Sequence, residues 1–157
     1  MKTLITPQQV HRHAFAGGEP LAPDAVSVAD IAAAEAAYLR PVVGEAMHDA
    51  LLEGRYPDFV ADYLLTALAL LTRFVVQPRL DLHTTRIGTL APKADNGSSP
   101  DPVALDRLRK NLRHEAMQLL RRASEHLDAE AARYPEYDPH ANIFHRCTTD
   151  GGFVQIF

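Results

Sequence analysis

Cysteine is almost missing from this chain: Cys147 is the single thiol among 157 residues. One thiol closes no internal disulfide, and the count alone excludes zinc ribbons and four-cysteine iron–sulfur sites. Such cysteine usage fits a reducing cytoplasm. An excess of basic charge is also lacking, since 16 Lys and Arg stand against 20 Asp and Glu for a net charge of -4. No global field therefore draws the chain to nucleic acid or to an anionic membrane. Glycine-rich phosphate loops are absent, because Gly17-Gly18 and Gly151-Gly152 have neither the spacing nor the Lys-Ser/Thr helix start that cradles a phosphate. Nucleotide hydrolysis is not expected. The nearest approach to a zinc-protease helix, HEAMQ at 114–118, places Gln118 where the geometry requires a second histidine. No apolar run precedes Pro7, so no signal peptide is expected. The most apolar stretch, residues 59–76, contains Asp62 and Arg73 and reads as a buried helix rather than a membrane span.

What the chain does contain is helical signal in quantity, and its length is enough to bury about 70% of the surface of the unfolded form. Thr6, Pro7 and Gln9 form a capping-box start for a short helix in TPQQVHRHAF, which should end at Gly17-Gly18. Ser27 and Asp30 offer a second capping box. Beyond it Ile31, Ala34, Tyr38, Val42, Met47 and Leu51 recur at helical spacing, with a kink or break predicted at Pro41. A third helix begins at Pro57, and its apolar residues Phe59, Tyr63, Leu64, Leu68, Leu71 and Phe74 cover more than one narrow face. Such width marks the central helix of a bundle, kinked or ended by Pro78.

Residues 84–102 then change character, with Gly, Pro, Ser, Thr, Asn and Asp in place of anything to bury. A long loop of this kind is either disordered or functional. Asp101 and Pro102 open the last long helix, where Leu105, Leu108, Leu112, Ala116, Leu119, Ala123 and Leu127 form one stripe through to about Tyr134. The expected fold is mainly all-α: a bundle of four to five helices over residues 1–134 with a flexible loop at about 84–101. A C-terminal arm follows over 135–157. In that arm Asp150-Gly151-Gly152 is a turn candidate between two short strand candidates at 142–145 and 153–157.

Candidate chemistry is thin. His11 and His13 diverge on a short helix, while His140, His145 and Cys147 share a loop but fit no strong zinc spacing. Cys147 beside His145 has no identifiable third group to orient a thiolate mechanism. The carboxylate pairs Asp58/Asp62 and Glu45/Asp49 lie at i,i+4 and read first as solvated helix faces. The basic residues Arg107, Arg109, Lys110, Arg113, Arg121 and Arg122 are interleaved with Asp106, Glu115 and Glu125, as on a mixed-charge outer face, with partner docking as the second reading. No metal, cofactor or enzymatic activity is expected.

The stretches LITPQQV, AEAAYLRPVVGEAMHDAL and DYLLTALALLTRFVVQPRL, with the ending YPEYDP to RCTTDGGFVQIF, resemble the head-tail connector, or head-completion, proteins of tailed bacteriophages. They are especially similar to a prophage-associated version found in gut bacteria. That resemblance covers most of the chain. It implies a non-enzymatic helical protein whose copies form a ring below the portal, joining it to the next neck or tail protein, with DNA only as passing cargo and no membrane. The implied location is the host cytoplasm during assembly and then the virion neck. The last helix and the tail beyond Tyr134 are longer than in the simplest connectors.

On this view the interface candidates are Arg86, Ile87, Leu90 and Lys93 in the loop, and Phe144, Phe153, Val154, Ile156 and Phe157 in the tail, where an edge strand could add to a neighbour. The tail has another arrangement open to it, folding back to bury Phe144, Phe153 and Phe157 on its own bundle. A different class of function, a small cytoplasmic helical adaptor or regulator binding one protein through the arginine-bearing last helix, is the alternative.

Overall fold

The computed structural model describes residues 2–15, 25–81, 83–85, 88–90, 101–150 and 153–156, with side chains over 2–15, 25–81 and 101–146. Helix α1, Pro7–Ala14, starts at the Thr6 capping box: the Gln9 amide donates to Thr6 Oγ1 at 3.3 Å and the Thr6 amide to Gln9 Oε1 at 2.8 Å. Its buried Val10 and Ala14 lie against α6, Leu65–Leu80. Arg73 of α6 closes its far end, donating to the Ala14 carbonyl at 2.6 Å with its guanidinium 4.3 Å from the Phe15 ring centre. Gly17 and Gly18, the expected end, lie outside the described residues.

Helix α2, Val28–Ala34, begins at the predicted Ser27/Asp30 box and runs into a π turn, Glu35–Leu39, and then α3, Arg40–Val43. Of the kink or break expected at Pro41, the break therefore does not occur. Proline lacks the N–H and crowds the carbonyl four residues back. The wider π turn, in which the Arg40 amide bonds to Glu35 O, carries the chain past it. The break comes at Gly44, at φ +83°, before α4, Glu45–Leu52. A second corner uses Gly54 at φ +87° and Tyr56 at φ 54°.

Pro57 starts α5, Pro57–Phe59, which continues through a second π turn, Val60–Leu64, into α6. Pro78 does not end this helix, which continues to Leu80. The whole run, Pro57–Leu80, is long and apolar enough to cross a membrane by length and composition. Here it is the central core helix, packed by α1, α2 and α7, with Leu64, Leu68 and Leu71 fully enclosed.

Helix α7, Pro102–Ala129, spans 28 residues from an Asp101 cap, and a 3-10 turn, Ala131–Arg133, follows it. The predicted stripe is present, but its seam is buried at Leu112, Ala116, Leu120, Ala123 and Leu127, while Leu119 is only half-buried. Two small antiparallel hairpins complete a mainly helical bundle. The first pairs β1, His83–Thr85, with β2, Gly88–Leu90, inside the stretch read as a loop. The second pairs β3, Cys147–Asp150, with β4, Phe153–Ile156. The earlier strand candidate at 142–145 is instead a 3-10 turn, Ile143–His145. Asn142 curls the backbone there, its Oδ1 accepting from the Phe144 amide at 2.9 Å and its carbonyl from the His145 amide at 3.1 Å.

Candidate functional site

The residues between α7 and β3 are fastened to the bundle by a polar clasp. Asn142, with no solvent exposure, donates from Nδ2 to Ser124 Oγ and to the Tyr137 hydroxyl, each at 2.7 Å. The Tyr137 hydroxyl donates onward to Asp128 Oδ1 at 2.9 Å. His145 Nε2 meets the other oxygen of Asp128 at 3.0 Å, while its Nδ1 faces the Pro139 carbonyl at 3.0 Å. Burial raises the Tyr137 phenol above its ordinary range, and the nearby Asp128 adds to the effect against the Asn142 donor. Every polar atom of Asn142 is thus used, the condition under which a buried polar network fixes one arrangement. The clasp sets the point from which β3 departs.

Asp128 stands beside His145 as a third group that the sequence did not reveal. The arrangement nonetheless leaves His145 no nitrogen for a thiol, since both ring nitrogens already face oxygen acceptors. Among the described residues no three His, Cys, Asp or Glu side chains gather as metal ligands. His114 and Gln118, on the zinc-like motif, are both exposed on α7.

The tail candidates divide. Phe144 is half-buried on the core, with the Arg121 guanidinium 5.0 Å from its ring centre. Phe153, Val154 and Ile156 lie on β4 and Leu90 on β2; their side chains, and the whole of Arg86, Ile87, Lys93 and Phe157, fall outside the described residues. Each hairpin is a two-stranded sheet, so each of its strands has one edge unpaired within its sheet.

Beside the clasp lies a cleft of about 360 Å³, lined by Ala36, Arg40, Pro41, Gly44, Glu45, Ala141, Ile143 and Arg146. Arg40 has a buried support. Its Nε donates to His48 Nδ1 at 3.5 Å, His48 Nε2 donates to Glu35 Oε2 at 3.4 Å, and Glu35 Oε1 accepts from the Leu4 amide at 2.7 Å. Glu35 and His48 are each only 3% exposed. On the cleft side Arg40 Nη1 reaches Glu45 Oε1 at 3.5 Å. Sequence reading passed over both groups, although each leaves a trace: Glu35 falls four residues after Ile31 on the apolar face of its helix, and Ser124 falls beside Ala123 and three before Leu127.

A family model described as "Family of unknown function (DUF6712)" matches residues 25–146, most of the chain. The matched stretch takes in the clasp and stops one residue before β3. No curated protein and no solved structure matches the chain.

Proposed function

For this chain, which belongs to the DUF6712 family, we propose a structural assembly role: copies associate through the paired-strand arms, in the manner of a head-tail connector ring below a phage portal. The observation that carries this reading is the contrast between a closed body and open arms. Val28 and Val103 are the only large apolar residues left exposed among the described side chains, so the bundle has little apolar surface to offer. Each hairpin, by contrast, has strands with one edge unpaired within its own sheet. A lone two-stranded hairpin is marginal in water, and a further strand from a neighbour satisfies its free edge with main-chain hydrogen bonds. The buried clasp holds the base of the second hairpin, so a strand added there meets a defined surface. On this reading the partners are further copies, the portal and the next neck or tail protein; DNA passes as cargo, and there is neither catalysis nor a cofactor.

Light scattering over a range of concentrations, on the full chain and on a form ending at Arg146, tests it. A closed oligomer that is lost with the hairpin is expected; identical masses for the two forms at every concentration would overturn an assembly role for that hairpin.

A second reading, a small helical adaptor, draws on a different feature. The first turns of α7 are mostly exposed and carry Arg107 and Arg113 outward. A partner held there would be released by Arg107→Glu with Arg113→Glu, a change that leaves hairpin-mediated assembly intact.

A further inference from the structure

The cleft beside the hairpin has the makings of a carboxylate clamp. Two arginines line one recess, and they differ in how they are held. Arg40 is fixed from behind by the His48–Glu35 pair, which occupies its Nε and leaves the terminal nitrogens toward Glu45 and the cleft. Arg146 is exposed and makes no side-chain ion pair among the described residues. A supported guanidinium beside a second unpaired one favours an oxyanion, and the fork geometry of arginine suits a carboxylate. Glu45 already occupies part of this role weakly: its contact with Arg40 is long at 3.5 Å and its side chain is 71% exposed. Such a pair contributes little and exchanges readily.

We propose that this cleft takes a carboxylate from a second copy of this chain, held by Arg40 and Arg146 in place of Glu45. The choice of a second copy rests on the assembly reading above and on two observations. Ala141, Ile143 and Arg146 line the cleft and lead directly into β3, so a neighbour that adds to the hairpin lies against the cleft as well. The complementary charge is on the same chain: Asp62, Glu115 and Glu125 are exposed and form no ion pair among the described residues. Because none of these acids lines the cleft, the contact pairs two different surfaces, the head-to-tail geometry that closes into a ring where the rotation allows.

The test is the association constant of the full chain by light scattering, with Arg146→Gln, Arg40→Gln and Glu45→Gln compared with Arg107→Gln as a control on an exposed arginine elsewhere. Loss of a charge-assisted hydrogen-bonded pair predicts association about ten-fold weaker for Arg146→Gln and Arg40→Gln. Glu45→Gln should associate more tightly, and Arg107→Gln should match the unmodified chain. Among the described residues the Arg146 side chain has no ion pair or hydrogen bond to lose, so it decides the matter should Arg40→Gln melt early. Association unchanged in Arg146→Gln, weakened equally by Arg107→Gln, or weakened by Glu45→Gln overturns the clamp, as does a chain that is monomeric throughout. Association that survives deletion of the hairpin but falls with Arg146→Gln sinks the hairpin reading and keeps the clamp; the reverse pattern does the opposite.

Discussion

His145 Nε2 stands 3.0 Å from Asp128 Oδ2, tying the residue two before β3 to the last turn of α7. Both side chains are about one-third or more exposed, so this contact alone contributes little to stability. What gives the connection weight is the buried part behind it, where Tyr137 bridges the same carboxylate to Asn142.

The two halves of the clasp should therefore respond differently to truncation. Asn142→Ala removes the buried donor to the Ser124 hydroxyl and to the Tyr137 hydroxyl, which keeps only its bond to Asp128, and takes the acceptor from the half-buried Phe144 amide, and should cost about 2–3 kcal/mol. His145→Ala should cost about 0.5 kcal/mol or less. Urea denaturation separates them, with a lower midpoint at unchanged slope for Asn142→Ala and almost none for His145→Ala. Equal shifts would mean that the exposed ion pair, not the buried amide, holds the segment.

Acid should loosen the junction between α2 and α6. Arg79 donates to both oxygens of Asp30, at 3.1 and 2.9 Å, and to the Ala25 carbonyl at 2.8 Å. These bonds, with those from Ser27 and against the opposing effect of burial, lower the Asp30 pKa from 3.8 to about 2. A depressed carboxylate stabilises the fold above its unfolded value and loses that contribution as pH falls from about 4 to about 2. With allowance for the solvent around the half-exposed Arg79, the amount is about 1 kcal/mol. Asp30→Asn should flatten that part of the stability profile, measured by thermal melts between pH 5 and pH 2; a profile as steep as that of the parent chain would assign the acid sensitivity elsewhere.

The register of α7 has a simple test in two neighbouring leucines. Leu120 is fully enclosed and Leu119 half-buried. Leu120→Ala should leave a cavity and cost about 3 kcal/mol, whereas Leu119→Ala should cost about 1 kcal/mol. Similar losses for both would place the seam between them rather than through Leu120.

These cases also show what the chain disclosed before folding. Capping boxes are local chemistry, four residues long, so Thr6/Gln9 and Ser27/Asp30 were readable and both are formed. The breadth of the apolar surface on residues 57–80 likewise predicted the central helix. Of the kink or break expected at Pro41 and at Pro78, the break occurs at neither. The penalty of proline is conditional on the backbone around it, and a π turn in one case and proximity to the helix end in the other let the helix continue. The clasp and the cleft support were not legible because their members are distant in sequence. Asn142 meets Ser124 across 18 residues, and Leu4 meets Glu35 across 31, so their pairing exists only after the helices have packed.

Gly44, rather than Pro41, should be the residue that the α3–α4 corner cannot spare. A Cβ there would meet only Ala141 Cβ at 4.0 Å, so space is available, and the penalty is conformational because φ is +83°. Gly44→Ala should cost about 1–2 kcal/mol. Pro41→Ala sits in ordinary helical backbone and should be tolerated within about 1 kcal/mol. Paired melting temperatures give the order; a larger loss at Pro41 would return the corner to the proline.

Removing the carboxylate of Glu35 should free residues 2–5, the strap that precedes α1, before it unfolds the bundle. Glu35 accepts from the Leu4 amide at 2.7 Å and from His48 at 3.4 Å, and the neighbouring Ile5 is 1% exposed in the core. Glu35→Ala leaves the buried His48 and the half-buried Leu4 amide without this acceptor, a loss of about 3 kcal/mol. Glu35→Gln is the informative companion. Its amide oxygen can still accept from Leu4, but its NH2 group would face the His48 nitrogen that now donates, so the strap bond survives while the His48 contact is lost. Hydrogen exchange at the Leu4 amide distinguishes the two: fast in Glu35→Ala, near the parent rate in Glu35→Gln. If the Leu4 amide stayed slow in Glu35→Ala while the global melt fell, packing of Ile5 rather than the carboxylate would be what holds the strap, and the buried pair would act only as the rear support of Arg40.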